Sequence, residues 1–222
     1  MKKYIFIQSR MSSTRLPGKS LMEIAGKKIL DLVIDRSAHR DCFQIVLTSD
    51  VASDDKIEET CNSRAVACFR GSLSNVLDRF YQCGLKFELD DSDLIIRLTA
   101  DNILPDSAFI DDLVRFHINT GNLYTAPPFP NSGLPYGLYG EVFSFHSLKQ
   151  AKSHADSSYQ QEHVTPYIRD FSANSDQVIT FDWLVKDFSG LRFTIDTQDD
   201  YIAMKELLSA HGSEKRWFEY FL

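Results

Sequence analysis

Tyr4-Ile-Phe-Ile7 runs straight into Gln8-Ser-Arg-Met-Ser-Ser-Thr-Arg-Leu-Pro-Gly-Lys19, and the reading of this junction decides the fold. The first four residues are β-branched or aromatic, the composition of a short strand buried on both faces. The next twelve hold Arg10, Arg15 and Lys19, consecutive hydroxyls at Ser12, Ser13 and Thr14, and a Pro17-Gly18 turn. Backbone N–H groups and hydroxyls in such a loop solvate anionic oxygens, while arginine adds planar donor forks and lysine a mobile point charge. The loop matches neither G-x-G-x-x-G nor G-x-x-x-x-G-K-[ST], two common nucleotide signatures. Charge alone favours an ordinary solvated loop. Its place at the carboxyl end of a strand is what makes it a candidate site.

Outward from that junction, short apolar runs alternate with helical periodicities. Strands are expected at residues 45–48, 65–69 and 94–98. Helices are expected around Ile29, Leu30, Val33 and Ile34, over residues 54–64, around Val76, Leu77, Phe80 and Tyr81 with Ser74 as cap, and from Asp106 or Ser107 through Ile118. This rhythm predicts an α/β chain with a mostly parallel sheet covered by helices. It breaks between residues 127 and 170, where Pro127, Pro128, Pro130 and Pro135 mark turns. A strand near residues 140–145 and a helix within 160–169, interrupted near Pro166, fall inside this stretch. It is too short for its own core and reads as an inserted arm of a single domain spanning residues 1–222. Strands are expected again at 177–181 and 191–195, followed by a final helix opened by a capping pair, Thr197 and Asp200.

The chain has 222 residues, 43% hydrophobic and 25% charged, and a net charge of −7. That total conceals an uneven distribution. Residues 1–28 carry seven Lys or Arg against Glu23, a net of +6, and the remainder carries −13. An acidic protein repels polyanions at long range, so the average argues against nucleic acid while the cationic start does not argue against a phosphate. The apolar run after Lys2-Lys3 is too short for a secretory signal, and no stretch approaches a membrane span. Cys42, Cys61, Cys68 and Cys83 lack metal-ligand spacing, and the six histidines are dispersed. A cytoplasmic location with free thiols is the expectation.

Two further residues attract attention by position. Asp101 directly follows the strand at 94–98, and Asp196 directly follows the run Phe193-Thr-Ile195. If all these strands are parallel, both carboxylates reach the sheet edge that bears the cationic loop. Two hard oxygen ligands facing a phosphate loop suit Mg²⁺. Taken singly, each aspartate is equally a turn former or a helix cap.

At this level the residues resemble a known family. Ser9-Arg-Met-Ser-Ser-Thr-Arg-Leu-Pro-Gly-Lys-Ser-Leu21 is similar to the signature loop of cytidylyltransferases that make CMP-sugars, especially the spore coat polysaccharide biosynthesis protein F branch related to CMP-KDO synthetase. The similarity continues through Gly26-Lys27, Phe69-Arg-Gly-Ser72, Val76-Leu-Asp-Arg-Phe-Tyr81, Glu162-His-Val-Thr-Pro-Tyr-Ile-Arg169 and Ile195-Asp-Thr197. The resemblance implies a Rossmann-like, GT-A-like nucleotidyltransferase fold of three layers. It implies an enzyme that uses Mg²⁺ to join an NTP, foremost CTP, to a sugar or sugar acid with loss of pyrophosphate, for a cell-surface polysaccharide. Arg15 and Lys19 are then catalytic. Ser9, Arg10, Gly71 in the turn on the base side, and Arg79 bind nucleotide, while Asp101 and Asp196 bind metal. Glu141, Glu162 and His163 in the arm are candidates for the sugar, although Glu141 equally suits a solvated strand edge and His163 a core or interface position. A homodimer joined through the arm, with no nucleic-acid or membrane partner, completes the expectation.

Two departures stand beside the matches. Relatives read Thr-Gly-Asp-Cys-Pro-Leu where this chain reads Thr99-Ala-Asp-Asn-Ile-Leu104, placing Ala100 where a glycine tolerates unusual backbone angles. Relatives read Gly-Leu-Asp-Val-Glu-Val-Phe where this chain reads Gly137-Leu-Tyr-Gly-Glu-Val-Phe143, placing Tyr139 where an acid stands. These leave open a non-catalytic nucleotide- or sugar-binding partner subunit, or a transferase that uses GTP and a sugar phosphate.

Overall fold

The computed structural model of the chain describes residues 1–128, 132–172, 178–181, 183–184 and 186–220. Strand β1 (Lys3–Gln8) contains the apolar run read above. After the loop come a small antiparallel pair, β2 (Glu23–Ile24) and β3 (Lys27–Lys28), then α1 (Ile29–Ser37), β4 (Phe43–Ser49), α2 (Asp55–Ser63) and β5 (Ala67–Gly71). Helix α3 (Val76–Lys86), β6 (Leu94–Thr99) and α4 (Ser107–Thr120) follow. The chain continues through β7 (Tyr124–Thr125), β8 (Glu141–Ser144), α5 (Phe145–His154), α6 (Ser158–His163), α7 (Pro166–Ser172) and α8 (Gln198–His211).

The main sheet has the order β5-β4-β1-β6-β8-β7. The pairs β1–β4, β1–β6 and β4–β5 are parallel, and β8 runs antiparallel to both of its neighbours. Along β1, Ile5 and Ile7 face one layer while Tyr4 and Phe6 face the other, the two-residue period of a pleated strand. The first layer packs under α1, α2, α4 and α8 through residues such as Leu30, Ile57, Leu113 and Leu208. The second packs under α3, α5 and α7 through Phe80, Leu148 and Ile168. Burial on both faces explains why the strands read as continuous apolar runs.

The chain leaves β1 toward β4 and β5 on one side, then returns to β6 on the other. Diverging connections open a crevice beyond the carboxyl ends of β1 and β6, where doubly wound sheets bind ligands. The cationic loop and Thr99-Ala-Asp101 both emerge there.

Several local expectations need correction. Helix α3 is capped by Asn75, whose side chain accepts from the Asp78 N–H, and not by Ser74. Residues 178–181 form no strand, and residue 177 lies outside the described residues, as does Pro130. Residues 191–195 make only isolated bridges, Arg192 with Tyr136 and Thr194 with Asn102, so Asp196 does not follow a strand of the sheet. Within the stretch 127–170 the strand expected near residues 140–145 is present as β8 and joins the main sheet, and an additional helix, α5, packs with α6 against α3. The interruption expected near Pro166 is present, at Val164, two residues before it. There a γ-turn, with Val164 at φ 71° and ψ −58° and the Thr165 N–H on the His163 carbonyl, separates α6 from α7. Proline then starts α7, the position it tolerates best.

Candidate active site

The loop after β1 is anchored at several points. Ser9 donates its N–H to the Leu47 carbonyl (3.0 Å) and its hydroxyl to Ser20 (3.0 Å). The Met11 N–H is received by Asp54 (2.8 Å), a fully buried carboxylate that also accepts from Thr48 and from the N–H and hydroxyl of Ser49. Burial raises the Asp54 pKa, and these hydrogen bonds more than offset it, holding the group below its ordinary range. Gly18, at φ 75°, turns the chain into a short 3₁₀ turn, Lys19–Leu21. A side chain at that φ would be strained.

That turn drives Lys19 inward. Its ammonium donates to Asp101 Oδ2 (2.9 Å), Asp196 Oδ1 (3.1 Å) and the Ile195 carbonyl (2.6 Å). Three residues singled out from separate stretches of the sequence therefore meet at one atom. Asp196 arrives by a bonded path and not by a strand: the Ile195 N–H donates to the Asp101 carbonyl (2.9 Å). Arg15, exposed, reaches Asp196 Oδ1 at 3.0 Å. Arg192, which the sequence reading did not select, holds Asp196 Oδ2 at 3.0 Å and donates Nε to Asp200 at 2.9 Å. Asp200 also accepts the Asp196 and Thr197 N–H groups, completing the capping box of α8. Burial opposes ionisation of Asp200, but Arg192 and these N–H groups bring its pKa down to about 2.

Two cavities meet at this cluster. The smaller, about 320 Å³, is lined by Ser9, Arg10, Arg15 and Lys19 of the loop. The larger, about 730 Å³, is lined by Tyr124, Tyr136, Tyr139 and Arg169. Thr99, Asp101, His163 and Asp196 line both. His163 is exposed, its ring tilted against that of Tyr159 with centroids 4.5 Å apart, which corrects the core reading for it. Glu162 is exposed and lies 4.0 Å from Arg10.

Glu141 lines neither cavity. It is buried, paired with Arg97, and accepts from Tyr124 (2.6 Å) and Thr165 (2.7 Å). The solvated-edge reading is therefore wrong: Arg97 and Glu141 are direct cross-strand partners of β6 and β8. Gly71 and Arg79 also stand apart from the cavity walls. A Cβ on Gly71 would lie 3.0 Å from Arg79 Cγ, so the glycine admits the arginine. Arg79 is fully buried and donates to the Ser72 carbonyl (3.0 and 2.8 Å). Its Nη1 has no partner among the described residues, and burial brings its pKa down to about 10. Ala100 does not need glycine's freedom: it has no positive φ, and its N–H donates to the Gln8 carbonyl at 2.9 Å.

Among the described residues no group of three or more His, Cys, Asp or Glu is arranged to hold a metal. Asp101 and Asp196 nevertheless converge on one point, now taken by the Lys19 ammonium. Two hard carboxylates fit Mg²⁺, which takes one or two protein ligands and completes its octahedron with water and phosphate.

A cationic loop at the switch point of a mostly parallel sheet, facing two aspartates at the junction of two cavities, is an arrangement suited to nucleotidyl transfer. The chain matches the cytidylyltransferase family over residues 4–220 and belongs to it. It is 34% identical over 215 residues to spore coat polysaccharide biosynthesis protein SpsF of Bacillus subtilis, covering 93% of this chain and 86% of that one. Among solved structures it is similar to a cytidylyltransferase of Leptospira borgpetersenii, with a TM-score of 0.88, 28% identity, and coverage of 99% and 92% of the two chains. A CMP:2-keto-3-deoxy-manno-octonic acid synthetase complexed with CTP shares the fold, with a TM-score of 0.69, 15% identity, and coverage of 95% and 99%. No described helix is long and apolar enough to cross a membrane.

Proposed function

We propose that this chain transfers CMP from CTP to a sugar or sugar acid, releasing pyrophosphate, with the product destined for a surface polysaccharide. The observation that carries the reading is the meeting of two cavities at Lys19, Asp101 and Asp196. The smaller cavity suits the triphosphate: Arg10, Arg15 and Lys19 line it. The larger suits the sugar, with tyrosine hydroxyls and a single arginine, Arg169, in its wall. The reacting phosphorus then lies at the shared wall, where an acceptor oxygen approaches in line and pyrophosphate departs toward the loop.

Asp101 and Asp196 would hold Mg²⁺, which when bound neutralises phosphate charge and orients the α-phosphate. Arg15, exposed, would move from Asp196 onto the triphosphate, drawn by a stronger anion than one carboxylate. Lys19 would follow the charge that develops on the leaving group. Arg192 keeps Asp196 Oδ2 engaged, leaving Oδ1 directed at the cavities. Catalysis here is positioning and electrostatic stabilisation, without a covalent intermediate. The name of the SpsF relative supports the polysaccharide assignment, and the CTP-bound structural relative supports the choice of nucleotide.

The test is pyrophosphate release, measured with each of the four NTPs against a panel of sugar acids and sugar phosphates. CTP with a sugar acid is expected to react, and Lys19→Ala and Asp101→Ala are each expected to lower the rate by about 100-fold or more. Wild-type turnover in either variant would falsify the assignment of the centre. Calorimetric binding of CTP without reaction of any sugar would replace it with a binding role.

A further inference from the structure

The larger cavity ends on tyrosines whose hydrogen-bond directions are dictated from beneath by a buried ion pair. Glu141 Oε2 receives Arg97, and Oε1 receives the hydroxyls of Tyr124 (2.6 Å) and Thr165 (2.7 Å). A carboxylate engaged by arginine only accepts, so the one proton of the Tyr124 phenol is committed to Glu141. The Tyr139 hydroxyl lies 3.3 Å from that of Tyr124. With Tyr124 already donating elsewhere, Tyr139 must be the donor of this contact. Its proton is then spent, and the lone pairs are what its oxygen retains. Tyr139 is part of the cavity wall, together with Tyr124 and Arg169. Burial, then the charge of Glu141, pushes both phenols upward, Tyr139 to about 12, so each keeps its proton at neutral pH.

We propose that Tyr139 is a specificity-determining residue of the acceptor cavity: it presents a hydrogen-bond acceptor, oriented through Tyr124 by Glu141 and Arg97, and selects a sugar that points an O–H or N–H at it. The inference rests on reading the larger cavity as the acceptor site. The relay gives the wall the hydrogen-bond polarity of a carboxylate without its charge. That matters beside Asp101 and Asp196, where another anion would repel both the phosphates and an acidic sugar. The same ion pair reaches the other cavity, because Arg97 Nη2 donates to Gln8 Oε1 (3.0 Å) and Gln8 lines the nucleotide side. Gln8 is thereby turned so that its amide N–H₂ is the end left for a ligand.

The experiment takes the sugar of the panel that the wild type turns over with CTP and compares it with its monodeoxyfluoro analogues, in which fluorine cannot donate. The wild type is expected to disfavour one analogue about tenfold in kcat/KM, the scale of one hydrogen bond. Tyr139→Phe is expected to raise KM for the parent sugar about tenfold and to lose the discrimination, with CTP affinity by calorimetry unchanged. Tyr124→Phe keeps the Tyr139 hydroxyl in place but frees its proton, so discrimination against that analogue must also fall. A purely space-filling Tyr139 would leave it intact. Wild-type KM and discrimination in Tyr139→Phe, with CTP binding intact, overturn the inference alone; so does full discrimination in Tyr124→Phe. If wild-type protein binds CTP but turns over no sugar, the acceptor reading falls and the inference falls with it.

Discussion

Lys19 concentrates the site in a single atom. Its ammonium occupies the point on which Asp101 and Asp196 converge, with three acceptors between 2.6 and 3.1 Å. An internal cation there competes with any external one, so divalent metal is expected to enter together with a polyphosphate that draws Lys19 away. Lys19→Met is therefore predicted to bind Mn²⁺ in the absence of nucleotide, read by loss of the free-ion resonance, whereas the wild type does not. Equal binding by both proteins would refute the competition. Asp54 acts one step removed, through the Met11 N–H. Asp54→Ala would strand several buried donors and is expected to cost about 3 kcal/mol in urea unfolding, with weakened CTP binding. Asp101 and Asp196 were legible because each stands at the end of an apolar run, and Lys19 because it closes the cluster of cations and hydroxyls that follows one. The buried pairing of Glu141 was not, because its partner Arg97 lies 44 residues away and only the β6–β8 register brings them opposite each other. Arg192 was illegible for a similar reason: a lone arginine in an irregular segment gives no periodic signal.

At the scale of elements, caps and turns decide where the chemistry points. The capping box of α8 ties Thr197 to Asp200, and Asp200 in turn ties down the Asp196 N–H and Arg192. Thr197→Ala is expected to lose about 1 kcal/mol of stability in denaturant unfolding. The same scale separates Ser74 from Asn75. Asn75→Ala should cost about 1 kcal/mol and exposed Ser74→Ala almost nothing, since only Asn75 receives an α3 N–H. Equal losses would restore Ser74 as the cap. Residues 191–195 show why a strand was expected and not formed. Phe193 and Ile195 are buried as their alternation requires, but two single bridges replace a ladder. Periodicity reports burial and is silent about which neighbour supplies it. The γ-turn at Val164 was likewise invisible, because a β-branched residue at positive φ contradicts its own preference and is held by the surrounding packing.

For the whole molecule, charge is the informative quantity. The cationic first 28 residues do not act as one patch once folded. Lys27 pairs with Asp35 and Glu214, and Lys28 donates to Thr60, while Arg10, Arg15 and Lys19 alone of that group line the smaller cavity. Among the carboxyls held below their ordinary range, Asp91, Asp187 and Glu214 are exposed, so acid stability rests chiefly on the less exposed Asp54 and Asp200. A depressed folded-state pKa stabilises above the unfolded value, about 3.9, and that gain is lost as pH falls through the folded value. The midpoint of thermal unfolding is therefore predicted to fall below about pH 4 and to continue falling toward pH 2. In Asp200→Asn part of that slope should vanish, with a lower midpoint at pH 7. An unchanged slope would show that Asp200 is not linked to folding.

The parallel strands, the cationic loop after the first of them, and the two aspartates are properties of the sequence by itself. Each is carried by neighbours in the chain: an apolar run, a cluster of donors, an acid at the run's end. Which of these groups meet was decided by tertiary structure. The crossover from β5 back to β6 brings Asp101 beside the loop, a non-strand path brings Asp196 and Arg192 to it, and the pairing of β6 with β8 buries Arg97 against Glu141. The physical reason is that local pattern sets conformation and burial, whereas a hydrogen bond depends on the positions of two groups that only long-range packing brings within 3 Å.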